Sequence, residues 1–425
     1  MLESNGKGHK NWNQCSKCQI LFYGAGSNAG DCPAGGKHEK VAGIDYTLEL
    51  QPYKHSVTGK GVAGFEVLDP VMEKYLKRIG ATAAALTVTR SHHSTPNGMQ
   101  PTADIHPLYS RGYGWCDLGQ TQPMQPDSVI DIGSCTKTFS AAAIRQMALD
   151  GKIDLNVSVC KLLNVKPRGQ VIDERFWNIT LNNLLDMKTG WLGEPLNQAY
   201  LEAGDAPVFY YDWGPYVLEF LMTRKLKDNP GEKFEYDNLA YGLLETVIHR
   251  FSGFEHPKYL RNQLCRPFGL ADLSTDNPAT HVWNAYREGT TCPPWVVNRA
   301  GGYADMNYSA PMMAAIMRYF VYDGRLRDNT TFYWHRTGSY ETTTAMMGWR
   351  PDGLNWAFAC NGTRLTVTHA EIEKELNEAL DKVVKGKKIP AAPKPANLLV
   401  NGSFEEGQLV GDILPLNPVC LPYGR

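Results

Sequence analysis

A serine at position 134 is followed three places on by a lysine, in the string Ser134-Cys135-Thr136-Lys137. On a helix that spacing sets both side chains on one face. A hydroxyl so placed can attack an acyl carbon while the neighbouring amine takes its proton. A desolvated lysine beside other cations can lose its own proton near neutral pH and serve as that base. A helix N-terminus beneath the serine favours a developing oxyanion. Tyr236-Asp237-Asn238 adds a phenol that can pass a proton and an amide that can hold an acyl group. Arg336-Thr337-Gly338-Ser339 adds a cation and a stretch of backbone donors. Taken in order, the three strings spell acyl-enzyme chemistry that needs no histidine as base. Ser-x-x-Lys alone is weak, because it recurs at Ser158-Val159-Cys160-Lys161. Neither His-Glu-x-x-His nor Gly-x-Ser-x-Gly occurs, which argues against a zincin and against an α/β-hydrolase elbow.

Elements must deliver these groups to one place. Residues 128–133 (SVIDIG) read as a short strand, and Gly133 as the turn that hands Ser134 to a helix over 138–150. Gly151 is a natural stop for that helix. The β-branched, apolar stretch 81–90 predicts a buried strand, with 108–118 as its hairpin partner. Residues 343–360 predict two strands around a Pro-Asp-Gly turn. Residues 369–384 have the periodicity of an amphipathic helix. A further helix is expected over 239–250, with Asn238 as its N-cap.

The chain has 425 residues, 43% of them hydrophobic and 20% charged, which suffices for a sizeable core. Its net charge is −1, and no basic stripe points to nucleic acid. No apolar run has the length of a membrane span. Residues 1–50 are rich in Gly, Asn, Lys and Cys and read as a small separate module. Residues 60–385 read as the main globular domain, and 386–425 as a Pro/Lys linker with a C-terminal tail whose stretch 397–407 resembles the first strand of a β-sandwich. The opening residues lack the apolar core of a leader. The expectation is a secreted or periplasmic protein whose leader is removed or omitted.

At these motifs the sequence resembles the serine β-lactamase and penicillin-binding-protein superfamily, nearest to its class C and family VIII esterase branch. The matching residues are GSCTKTFSAAAIRQMALDGKIDLN (133–156), NITLNNLLDMKTGW (178–191) and NPGEKFEYDNLAYGLLETVIHRFSG (229–253). RPFGLADL (266–273), AGG (300–302) and HRTGSYETTT (335–344) follow. The resemblance implies an α/β (α+β) fold: an antiparallel sheet flanked by helices, a mainly helical subdomain, and the active site at their interface. It implies Ser134 as nucleophile, Lys137 as its base partner and Tyr236 as the second proton-transfer residue. Asn238, Arg336, Thr337, Gly338 and Ser339 would bind substrate, and the backbone N–H groups of Ser134 and Ser339 would form the oxyanion hole. The third motif departs from the family's usual Lys or His by carrying Arg336. The usual glycine shortly after it is also missing, since the chain reads Tyr340-Glu341-Thr342. A literal Lys188-Thr189-Gly190 is a competing candidate for that motif.

The expected function is therefore a carboxylesterase acting on small ester or amide substrates, with no cofactor for the reaction. A β-lactamase or a D-alanyl-D-alanine carboxypeptidase is the alternative within the same chemistry. A non-catalytic binding protein is the alternative outside it, with the end modules attaching to a surface or carbohydrate. Trp334, Trp349 and Trp356 flank the third motif and are candidates for an acyl pocket or for core packing.

Ten cysteines are too few for a disulfide scaffold at this length. Cys15, Cys18, Cys32 and His38 are spaced to close around one structural zinc ion. A disulfide among the three cysteines fits the same spacing.

Overall fold

The computed structural model describes residues 2–3, 9–19, 21–23, 31–42, 46–48, 56–92, 102–103, 107–117, 119–167, 169–191, 213–266, 302–304, 306–320, 334–340, 343–350, 352, 354–362 and 367–386. The tail beyond 386, with its expected strand at 397–407, lies outside them, as does Trp334's side chain. The chain divides into two compact units, Met1–Ser56 and Val57–Arg425.

The first unit holds a four-stranded antiparallel sheet. Its strands are β1 (Leu2–Glu3), β2 (His9–Gln14), β3 (Leu21–Tyr23) and β4 (Tyr46–Leu48), in the order β1-β4-β2-β3. A bulge between His9 and Trp12 shifts the β2–β4 register. Among the described residues, Cys15, Phe22 and Cys32 form a buried cluster there, with Cys18 packed against it.

The second unit is built on a seven-stranded sheet. Its members are β5 (Val57–Thr58), β6 (Ala83–His92), β7 (Thr102–Ala103), β8 (Tyr109–Gly114), β11 (Trp334–Tyr340), β12 (Thr343–Trp349) and β13 (Leu354–Cys360). Two shorter strands, β9 (Ile130–Asp131) and β10 (Asn307–Tyr308), pair with each other outside it. The order is β11-β12-β13-β6-β8-β5, with β7 alongside β6. All pairings are antiparallel, as in Gly348↔Trp356 and Ala85↔Gly112.

Side chains alternate across a strand, so the central strands feed two cores. Ala83, Ala85, Ala345, Met347, Ala357 and Ala359 face one of them. Ala84, Leu86, Val88, Met346, Trp356 and Phe358 face the other. The second face is covered by the helices Asp69–Ile79 and His369–Lys385, through Met72, Tyr75, Ile372 and Leu376. Arg78 ties these helices together by pairing with Glu375 at 2.9 Å. The alanine-lined face receives the helix Ala310–Phe320, whose own Ala314 and Ala315 are fully buried. Small residues on both surfaces allow close approach.

The helix Thr136–Leu149 runs through this larger core, and every residue from Thr136 to Ile144 is buried. A stripe would suffice for a surface helix. Burial on all sides explains the run Ala141-Ala142-Ala143. Gly151 (φ +69°) follows its end, as expected. Trp349 and Trp356 are core residues, and Trp356 donates its indole N–H to Asn377 Oδ1 at 3.2 Å.

Candidate active site

The segment 130–135 forms a hinge between strand and helix. Asp131, buried on β9, accepts from the Gly133 N–H at 2.8 Å and so tightens the turn. Gly133 has φ +49°, a conformation costly to a residue with a Cβ. Residues Gly133–Cys135 make one 3-10 turn that runs straight into the Thr136–Leu149 helix. Ser134 and Lys137 thus lie one turn apart on a buried element.

Lys137 is 1% exposed, and its Nζ donates to Ser134 Oγ at 3.0 Å and to the Tyr303 carbonyl at 2.9 Å. The ammonium group stands over three rings, 5.0 Å from Tyr236, 5.4 Å from Tyr303 and 5.9 Å from Tyr241. Tyr236 shares a 2.8 Å hydrogen bond between its hydroxyl and Ser134 Oγ. At 45% exposure it is the side from which solvent reaches the serine. The hydroxyl of Ser134 is therefore held by an amine on one side and a phenol on the other.

Asp237 fixes Tyr236. It is the N-cap of the helix Asn238–Ser252, accepting from the Ala240 N–H at 3.1 Å. This corrects the expected cap: Asn238 is the first helical residue, half-buried beside the tyrosine. The other Asp237 oxygen accepts from the Trp191 indole at 2.6 Å and the Thr189 hydroxyl at 3.4 Å. Lys188-Thr189-Gly190 thereby finds its role as a support under the tyrosine loop. The backbone here binds that loop too, through Gly231 N–H to Lys188 O at 2.8 Å and, from the preceding residue, Glu235 N–H to Met187 O at 2.9 Å. Asp237→Ala loses a cap worth about 1 kcal/mol and strands a buried indole N–H at a further cost of about 1–3 kcal/mol. Urea unfolding of Asp237→Ala is expected to show a loss of about 2–4 kcal/mol, with turnover falling as Tyr236 loosens. Asp237→Asn, which keeps an acceptor, should recover most of both.

Arg336-Thr337-Gly338-Ser339 lies on β11, the terminal strand of the sheet. The strand passes so close to Ser134 that only glycines fit between them. A methyl carbon added at Gly338 would stand 2.0 Å from the Ile132 carbonyl oxygen and 2.8 Å from the Ser134 and Cys135 nitrogens. One added at Gly133 would stand 2.8 Å from the Ser339 nitrogen. The amides of Ser134 and Ser339 are thus brought to the same spot from opposite ends of the domain. Thr337 is half-buried on the same strand. Arg336 is half-buried, and its buried Nε has no hydrogen-bond partner among the described residues. The other Ser-x-x-Lys is not assembled this way, since Ser158 is buried and Lys161 exposed.

Two groups escaped the sequence reading. The Tyr303 carbonyl, a backbone acceptor, has no side-chain signature. It is positioned by Gly302, whose N–H donates to Glu245 Oε2 at 2.8 Å and whose carbonyl accepts from Ser140 Oγ at 2.6 Å. Ser140 in turn receives a hydrogen bond from the fully buried His256 Nε2 at 2.9 Å. Burial lowers the His256 pKa to about 3, so it is a neutral structural donor and not a base. Cys135 is excluded as a nucleophile because burial pushes its thiol up to about 12.

The sequence model of the family described as Beta-lactamase matches residues 102–370. Protein flp of Staphylococcus aureus (strain N315) is 27% identical over 209 residues, 47% of this chain and 40% of that protein. D-alanyl-D-alanine-carboxypeptidase/endopeptidase AmpH of Escherichia coli (strain K12) is 27% identical over 273 residues, 62% of this chain and 65% of that protein. The chain thus spans less than two thirds of either relative. Among solved structures, the octameric penicillin-binding protein homologue from Pyrococcus abyssi superposes with a TM-score of 0.53 at 18% identity, covering 75% of this chain and 78% of that one. A class C beta lactamase from Rhodobacter sphaeroides gives 0.52 at 15% identity, covering 76% and 99%. At these identities the likeness speaks for the fold, which is the β-lactamase/transpeptidase arrangement expected from the motifs.

Proposed function

Since this chain belongs to the beta-lactamase family, we propose that it is a serine hydrolase working through an acyl-enzyme on Ser134, and that its preferred substrates are carboxylic esters. One observation carries the reading: Lys137 Nζ and the Tyr236 hydroxyl both bond Ser134 Oγ, at 3.0 and 2.8 Å. The proton leaves Ser134 through these two groups as Oγ attacks the acyl carbon. The resulting oxyanion lies between the N–H groups of Ser134 and Ser339. Tyr236, the solvent-facing member, returns a proton to the departing alkoxide. Water then attacks the acyl-enzyme by the reverse route and frees the acid. Asn238 is suited to hold the acyl side.

Arg336 supports esters over amides. A guanidinium does not deprotonate, so it cannot relay a proton as lysine or histidine could at that place. A leaving amine needs that proton more than a leaving alkoxide or phenolate does. A second reading rests on the same residue. A half-buried guanidinium whose Nε has no partner among the described residues suits a substrate carboxylate, which favours a peptide ending in D-alanine or a β-lactam.

The full chain is to be assayed with p-nitrophenyl acetate and butyrate, nitrocefin and a D-Ala-D-Ala peptide, with Arg336→Gln beside it. The expected result is ester turnover well above the other two. Arg336→Gln should leave ester kcat/KM within about threefold and lower any activity on the carboxylate-bearing substrates about tenfold or more. Faster nitrocefin or D-alanine release overturns the ester preference and selects the second reading.

A further inference from the structure

The first unit contains a cluster that the hydrolase chemistry does not use. The Sγ atoms of Cys15, Cys18 and Cys32 and a ring nitrogen of His38 all lie within 4.8 Å of one another. Cys15 Sγ is 3.7 Å from Cys32 Sγ, and Cys18 Sγ is 3.5 Å from His38 Nδ1. A disulfide would need sulfurs about 2.05 Å apart, and all eight described cysteines are free thiols. The spacings match something else. A tetrahedral zinc ion with Zn–S near 2.3 Å and Zn–N near 2.05 Å has edges of about 3.8 Å between sulfurs and about 3.6 Å between sulfur and nitrogen.

The backbone prepares this shape with two tight turns. In the first, Gln19 N–H bonds the Cys15 carbonyl at 2.9 Å, and Gln19 adopts φ +63° to close it. This brings Cys15 and Cys18 onto one side. In the second, Gly35 N–H bonds Cys32 O at 2.8 Å and Cys32 N–H bonds Gly36 O at 2.7 Å, with positive φ at both glycines. Lys17 Nζ reaches from the first turn to the Gly35 carbonyl of the second at 3.0 Å. The His38 ring stacks on Phe22, centroids 5.0 Å apart and planes at 12°, which fixes the direction of Nδ1. Such orientation of a ligand by its neighbours is what a metal site requires.

We propose that Cys15, Cys18, Cys32 and His38 bind one structural zinc ion. Three thiolates and an imidazole are soft donors that suit zinc and not magnesium or calcium. Four protein ligands close the shell and leave no open position for a reacting water, so the ion's role is structural. Cys15 and Cys32 are themselves buried residues of this unit, with Cys18 packed against them, and metal binding supplies folding energy in small modules of this kind. Binding displaces a proton from each ligating thiol and leaves the imidazole neutral.

The full chain, purified without chelator and dialysed, is expected to carry close to one zinc per chain by plasma mass spectrometry. Cobalt exchanged into it should show the visible bands of a tetrahedral thiolate site. Cys32→Ala and His38→Ala should each lose most of the metal. A variant that unfolds the unit also loses the metal, so the unmodified chain provides a second readout. Cys15, Cys18 and Cys32 should resist iodoacetamide until a zinc chelator is added, and then be alkylated together. A metal-free chain, a chain holding iron, metal retained by both variants, or alkylation indifferent to the chelator overturns the proposal.

Discussion

Ser134→Ala is expected to lower ester turnover by about 10⁴-fold or more while leaving the fold unchanged. The loss is large because the hydroxyl is the atom on which the amine and the phenol converge. The fold survives because neither neighbour is stranded. Lys137 keeps the Tyr303 carbonyl at 2.9 Å, and Tyr236 is 45% exposed and is rehydrated. Thermal unfolding should move little, and labelling by a fluorophosphonate should vanish with the activity. Turnover retained in Ser134→Ala would remove the assignment, since the adjacent Cys135 thiol is buried and protonated.

The second large effect is expected at a residue with no side chain. Gly338→Ala puts a carbon 2.0 Å from the Ile132 carbonyl oxygen. It also crowds the Ser134 and Cys135 nitrogens at 2.8 Å. All three are backbone atoms, and they cannot swing aside as a side-chain tip would. The strand has to retreat by about 1 Å, and a displacement of that size can cost about 10²-fold in rate. The Ser339 amide retreats with it, and removing one oxyanion donor costs about 10²–10³ in kcat. The expected signature is a kcat loss in that range with KM changed far less, and with slow acylation of Ser134 still detectable. A kcat within twofold of the parent would show that the two amides do not act together.

Much of this was legible in the sequence because it is local. The Ser134–Lys137 pair follows from helical spacing. The strands at Ala83–His92 and Thr343–Cys360 and the helix at His369–Lys385 follow from the periodicity of their apolar residues. What stayed hidden is relational. Asp237 outranks Asn238 as the cap because its second oxygen is claimed by Trp191 and Thr189, from a loop far away in sequence. That same contact turns Lys188-Thr189-Gly190 from a rival motif into a support. The acceptor for Lys137 is a main-chain carbonyl, which no residue type announces. The Ala-Gly-Gly string at 300–302 marked the segment, but not the Ser140–His256 pair that steadies it.

The glycine contact between β11 and the Ser134 turn also sets when the proposed hydrolase begins to work. During synthesis the serine and lysine emerge together, ahead of that strand, at the start of a 14-residue helix that relies on the surrounding core. Their partner strand leaves the ribosome much later and docks only once β12 and β13 offer it an edge. Until then the proposed oxyanion site has one donor and not two. On the proposed mechanism, an unfinished chain carries the nucleophile without the complete site, and activity is expected only once the sheet is complete.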